Sequence, residues 1–211
     1  MISVCPTVTA DEPDSFRTQM EQAVALSNRI HLDVADGRLA PRELLPVADV
    51  WWSGSTRVDI HMMYEYPLDH VEVLLALKPQ LVIVHAEAKG SFVQLSNQLR
   101  AHGIEAGVAL LPETPVEKIV GGLEYIDHVL IFSGNLGYQG GSEAQLKLLE
   151  KASQLKKLKP QVEIGWDGGV NADVAGKLVE GGVEVLNVGG YFQSATDKRA
   201  AWEALQRAIG N

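Results

Sequence analysis

Apolar residues along the 211-residue chain fall into two alternating patterns. Short runs that are continuously apolar, or apolar at every second position, occupy residues 2–5, 29–34, 57–62, 80–85, 105–111, 128–133, 162–166 and 183–188. The period of two predicts strands. Between them, apolar residues recur three and four apart over 14–28, 67–78, 91–103, 143–157, 172–182 and 198–210, the spacing of amphipathic helices. The segments after the second and fifth strands are expected to form shorter or less regular helices. Residues 81–85, Leu-Val-Ile-Val-His, are apolar on both faces, as in a parallel sheet covered on each side. Parallel strands need crossover helices, and the helical segments supply them. Eight such units predict an α/β fold, a single (β/α)8 TIM barrel, with residues 1–211 as one domain; an open doubly wound sheet is the alternative, because a strand count cannot prove closure. In a barrel, reactive groups sit at the carboxyl ends of the strands, and phosphate is often held after strands seven and eight.

Composition narrows the function classes. The apolar fraction is 46% and the charged fraction 21%, both ordinary for a globular protein. A net charge of -9 argues against non-specific binding to nucleic acid or to an anionic membrane surface, which both need a basic field. No apolar run approaches the roughly 18 residues of a membrane span. The opening Met-Ile-Ser-Val-Cys-Pro lacks a basic region ahead of a long apolar one, and Cys5 is the single cysteine, so a cytoplasmic protein without disulfides is expected.

Four predicted strand ends carry metal-binding side chains: His31 and Asp33 on the second, Asp59 and His61 on the third, His85 on the fourth, and Asp167 after the seventh. A lone strand histidine is more often a packed, hydrogen-bonded residue than a ligand. His31 and Asp33, however, share a face by period two, opposite Ile30, Leu32 and Val34. In a barrel, His31, Asp33, His61 and Asp167 can converge at one mouth, and two imidazoles with two carboxylates suit one divalent metal ion such as Zn, Fe, Mn or Co. Asp36-Gly37 has the composition of a turn. The pairs Gly168-Gly169 and Gly189-Gly190 fall where barrels bind phosphate, and Gly137, Gly140 and Gly141 are expected to form a mobile loop closing over substrate. Cys5 is expected to be a small buried side chain, Trp51 and Trp52 to pack or to make an oligomer contact, and His70, His102 and His128 to sit on helices or loops without a functional role.

These stretches carry a resemblance. His-Leu-Asp-Val-Ala-Asp-Gly (31–37) resembles H-x-D-V-M-D-G, Asp-Ile-His-Met-Met-Tyr-Glu-Tyr-Pro (59–67) resembles D-x-H-L-M-V-x-x-P, and Val-His-Ala-Glu (84–87) resembles F-H-x-E. Residues 107–115 are similar to G-x-A-x-N-P-x-T-P and 167–171 to D-G-G-[IV]-N. All are motifs of ribulose-phosphate 3-epimerases, in order over essentially the whole chain. The resemblance implies that His31, Asp33, His61 and Asp167 bind the metal and that Asp33 and Asp167 are the catalytic acid/base pair. It implies a phosphorylated ketose as substrate, contacted by Thr7, His61, Met63, Gly137, Gly140, Gly141, Gly168, Gly169, Gly189 and Gly190; apart from the resemblance, an exposed helical face makes a homo-oligomer the expected assembly. Epimerising the carbon beside a ketone removes a proton from one face and returns one to the other, so it needs two acid/base groups on opposite sides. His85 and Glu87 are expected to line the pocket or support the ligands.

Departures from the motifs gather around the sugar. Ala35 and Phe132 stand where the family has methionines, Leu111 replaces an asparagine, Leu136 a proline, Tyr191 a serine, and Gln139 is a displaced glutamine. Ala35 removes volume while Phe132 and Tyr191 add it, which predicts a reshaped pocket and altered substrate preference. Two alternatives accompany this reading. One is a phosphosugar-binding barrel without turnover. The other is a related phosphosugar decarboxylase or synthase, whose D-x-K-x-x-D motif lacks its lysine here, since His61 stands in that position.

Overall fold

A computed structural model describes residues 2–210. Eight parallel strands close into a barrel in chain order. They are β1 (Ser3–Thr9), β2 (Arg29–Ala35), β3 (Arg57–Met63), β4 (Leu81–His85), β5 (Glu105–Leu110), β6 (His128–Phe132), β7 (Glu163–Asp167) and β8 (Val185–Val188). Closure runs through β1, whose Thr7–Thr9 pair with β2 while Ser3–Pro6 pair with β8. The helices outside are α1 (Pro13–Val24), α2 (Val71–Leu77), α3 (Phe92–Ala101), α4 (Glu117–Val120), α5 (Leu149–Leu158), α6 (Ala172–Glu180), α7 (Gly190–Ser194) and α8 (Lys198–Ala208). None is long and apolar enough to cross a membrane.

One difference from the sequence pattern has a clear cause. No helix follows β2: residues 36–56 form a long connection. Asp36 holds its start, accepting from the backbone N–H groups of Arg38 and Leu39 with one oxygen and from Glu65 N–H with the other, and Gly37 turns at φ +69°. Pro41 and Pro46 within that segment each lack the N–H that a helix interior needs. After β5, the expected short helix is α4, with a single 3-10 turn beyond it. His128 also differs from expectation, since it opens β6 and is buried.

The outer faces of the strands bury against the helices as two apolar clusters, one centred on Phe16, Ile60, Leu74 and Leu99, the other on Trp166, Ile164, Leu155 and Leu178. Inside the barrel the apolar filling is small: Leu81, Ile83, Ala109 and Leu130 form one patch. The polar side chains of the interior gather in two groups at opposite ends. This division positions the site.

Candidate active site

Period two and the barrel register together build the carboxyl-end group. His31 and Asp33 lie on one face of β2, and Asp33 stands directly opposite His61 of β3. Asp167 ends β7 on the far side of the mouth. The four side chains bring one potential ligand atom each within 4.8 Å of one another. His61 Nδ1 lies 2.9 Å from Asp33 Oδ1 and 3.9 Å from Asp167 Oδ2, while His31 Nε2 lies 3.4 Å and 3.8 Å from the same two oxygens. Four ligands at roughly 2.1 Å around one tetrahedral centre would stand about 3.4 Å apart, so these spacings fit a transition-metal site. Both nitrogens of His31 are buried without a hydrogen-bond partner, and an ion ligated by Nε2 removes the cost at that one.

Burial and neighbours split the proton affinities of the two carboxyls. Asp167 is pushed up to about 7, first by burial and then by the charge of Asp33. Burial acts on Asp33 in the same direction, but His31 and His61 outweigh it and hold Asp33 well below the usual range. Burial lowers His61 to about 4, which keeps it neutral. For His31, burial favours the neutral ring, yet the facing Asp33 and Asp167 charges raise its affinity for a proton.

Further contacts surround this centre. Thr9 donates its hydroxyl to Asp33 Oδ2 at 2.7 Å. His61 Nε2 meets His85 Nε2 at 2.8 Å, and His85 Nδ1 faces Glu87 Oε2 at 3.5 Å. Glu87 in turn accepts the Thr114 hydroxyl. His85 and Glu87 thus support His61 from behind, as expected. Asp59 does not join the centre. It lies one layer deeper, opposite His31 in the register, and accepts from Arg29 Nε at 2.7 Å. Neither His70, which ends a 3-10 turn, nor His102, which follows α3, approaches the site.

Above the four residues opens a cavity of about 530 Å³. Thr7, Met63, Gly137, Gly140, Gly141, Gly168, Gly169, Gly189 and Gly190 all line it, together with Asp33, Asp167, Phe132, Tyr191 and Asn187. His61 lies beneath the lining, fully buried. The wall contains no lysine or arginine, so an anion there would be held by backbone N–H groups, hydroxyls and amides. The connection after β6 lies across the mouth: Gln139 donates to the Thr7 carbonyl at 2.9 Å, Gly137 N–H points at Met63 Sδ, and Tyr138 sits under Arg42. This contact gives Gly168 and Gly169 a steric reason besides any ligand. A Cβ at Gly168 would come within 2.2 Å of Gly134 N, and one at Gly169 within 2.1 Å of Ala144 N. Asn171 of the same motif caps α6, its Oδ1 accepting from Asp173 and Val174 N–H.

The reshaping expected from Ala35 needs correction. Ala35 is not part of the cavity wall; it is packed with Ala40, Leu44 and Met63, and Leu136 leans on that cluster. The volume it vacates is filled by the connections after β2 and β6. Phe132 and Tyr191 do face the cavity, with the Phe132 ring tilted against that of His61 at 5.6 Å between centroids.

A (β/α)8 barrel carrying two histidines and two aspartates around one centre, beneath a cavity rimmed by glycine turns, defines a metal-assisted acid/base enzyme of the barrel class. The chain belongs to the ribulose-phosphate 3-epimerase family, whose model matches residues 3–193. It is 32% identical over 192 residues to the ribulose-phosphate 3-epimerase of Helicobacter pylori strain J99, covering 88% of each chain. To that of Bacillus subtilis strain 168 it is 27% identical, over 95% of this chain and 96% of the other. Among solved structures, a 3-hexulose-6-phosphate synthase shares the fold with a TM-score of 0.75 at 17% identity, over 99% of this chain and 100% of that one.

Proposed function

We propose that this chain is a metal-dependent 3-epimerase of a phosphorylated ketose, of the D-ribulose 5-phosphate to D-xylulose 5-phosphate type, with Asp33 and Asp167 as its acid/base pair. The observation that carries this reading is the convergence of two carboxyls, from β2 and β7, on one imidazole pair beneath the cavity. One carboxylate serves as base and the other, protonated, serves as acid.

Asp33, oriented by the Thr9 hydroxyl, takes the proton from carbon 3 on one face. The resulting enediolate receives a proton from Asp167 on the other face, which inverts the carbon. The reverse reaction exchanges the two roles. His31, Asp33, His61 and Asp167 would hold one divalent ion of the Zn, Fe, Mn or Co kind. When bound, it supplies Lewis-acid stabilisation of negative charge on the substrate oxygens and draws down both carboxyl pKa values. His85, with Nδ1 towards Glu87, accepts from His61 through Nε2; that tautomer leaves His61 Nδ1 bare towards the centre. The phosphate is assigned to the Gly168-Gly169 and Gly189-Gly190 turns, and the Gln139 connection excludes water from above. The working unit is taken as one domain, residues 1–211, acting in the cytoplasm. Homo-oligomerisation is assigned to the face around Trp51, 54% exposed and set edge-on against Phe16.

The test is exchange of solvent deuterium into carbon 3 over a panel of ketopentose and ketohexose phosphates, with the protein loaded with each metal in turn. Incorporation, with epimer formed and both abolished in Asp33→Asn, is the expected result. Binding of the panel without exchange would leave the phosphosugar-binding alternative in its place.

A further inference from the structure

One polar side chain in the cavity wall has no part in the scheme above. Asn187 lies in β8 among Val185, Leu186 and Val188, where an apolar strand residue would complete the pattern. It is only 2% exposed, yet neither its Oδ1 nor its Nδ2 has a hydrogen-bond partner. An amide buried unsatisfied is destabilising, and an aliphatic residue there would avoid the penalty. The amide borders the 530 Å³ cavity, so its missing partner comes from whatever fills that space.

The register says which part of a substrate it meets. Asn187 pairs with Asp167 across β7 and with Cys5 across β1, and it stands two residues before Gly189 on its own strand. It therefore sits between the acid/base residue Asp167 and the glycine turn assigned to the phosphate. In a ketopentose 5-phosphate, the group between the reacting carbon 3 and the phosphate-bearing carbon 5 is the carbon 4 hydroxyl. A hydroxyl both donates and accepts, and the Asn187 amide offers one acceptor and two donors. Resting on the epimerase reading, we infer that Asn187 is a specificity-determining residue that hydrogen-bonds the carbon 4 hydroxyl of the substrate and rejects ketose phosphates lacking it.

The test crosses two enzymes with two substrates: wild type and Asn187→Val, each with the parent ketopentose 5-phosphate and its 4-deoxy analogue, read by deuterium exchange at carbon 3. Wild type is expected to lose roughly 10- to 100-fold in kcat/KM on the 4-deoxy compound. The variant should lose as much on the parent but show no further loss on the analogue, because the partner group is already gone. Asn187→Ser, which keeps a shorter hydrogen-bonding group, should retain part of the discrimination and provides the same readout if the valine does not fold. Equal discrimination in wild type and variant would overturn the assignment, as would a variant unchanged on the parent. Absence of exchange in wild type with every substrate would instead overturn the epimerase reading, and this inference with it. Exchange without coupling overturns this inference alone.

Discussion

The barrel interior holds two polar groups built on the same strands, and they have opposite characters. At the amino end, Arg29 of β2 donates to Asp59 of β3 and, through both terminal nitrogens, to Glu163 of β7, which also accepts from His128 at 2.8 Å. At the carboxyl end, His31, Asp33, His61 and Asp167 come from β2, β3 and β7 again, but among the described residues their ion pairs are with one another and not with a lysine or arginine. A single guanidinium makes the difference. With five donors in a rigid fork, Arg29 binds both oxygens of Glu163 and one of Asp59, leaving Asp59 Oδ1 as the one carboxylate oxygen of the three residues without a partner. The upper group keeps like charges together and both His31 nitrogens unpartnered, an arrangement that stabilises the fold only when something else binds. The lower group is a structural plug, and the upper one is a site.

The largest effect that would break this contrast lies in the upper group. Asp33→Asn or Asp167→Asn should lower kcat by roughly 10²- to 10⁴-fold, the usual contribution of a general acid or base, while the melting temperature stays level or rises. An amide variant that lost stability but kept its rate would reverse the assignment of the two ends.

Next comes the plug. Arg29→Met strands Asp59 as a buried charge and leaves the partly exposed Glu163 with His128 alone, and breaking a buried pair from one side costs about 3–5 kcal/mol. Denaturant unfolding should show that loss, with kcat of the remaining folded enzyme unchanged. The same network sets an acid limit. Burial alone would raise the Glu163 carboxyl, but hydrogen bonds from His128 and Arg29 hold it well below the ordinary range. A depressed carboxylate contributes stability that is present above its unfolded pKa, about 4.3, and lost as pH falls towards the folded value. Melting curves between pH 6 and 3 should therefore fall more steeply for wild type than for Glu163→Gln; parallel curves would show that another group sets the limit.

A smaller effect is expected behind the centre. Removing the acceptor that orients His61, in His85→Ala, should weaken divalent-metal binding by about 10- to 100-fold, measured by competition with a chromophoric chelator. Glu87→Gln should act in the same direction and less strongly. Unchanged affinity in both would mean that packing alone, including the Phe132 ring, fixes His61.

These two groups also mark what the sequence made legible. All eight strands follow from their apolar runs, because a strand covered on both faces or alternating in a barrel has few other ways to be written. The pattern His31, Asp33, His61, Asp167 was legible because each is a charged or ligating residue at a strand's carboxyl end. The plug was not, since Arg29, Asp59 and Glu163 obey the same period two on the same strands, and only the register shows that they lie a layer or more below. Thr9 and Asn187 escaped notice for a related reason. Threonine is an ordinary strand residue, and a single asparagine in an apolar strand gives no sign of whether its amide is satisfied. The absent helix after β2 depended on chain punctuation at Pro41 and Pro46, which outweighs a weak helical spacing.

Ala35 provides the smallest and most discriminating comparison, because it sits at the carboxyl end yet belongs with the packing. In sequence it is two residues beyond Asp33, and a larger side chain there would be expected to intrude on the substrate. In the structure its neighbours are Ala40, Leu44, Met63 and Leu136, and it has no share of the cavity wall. Enlarging it to Val should therefore behave like a change in the plug rather than one in the site. Overpacking a filled apolar cluster costs about 1 kcal/mol, at the low end of the range for added methyl groups. The melting temperature should fall by a few degrees, while the ratio of kcat/KM between ketopentose and ketohexose phosphates stays where it was. A shifted ratio at constant stability would mean that the Leu136 connection transmits volume changes to the cavity, and that position along the barrel axis, rather than satisfaction of the side chains, decides which residues act on substrate.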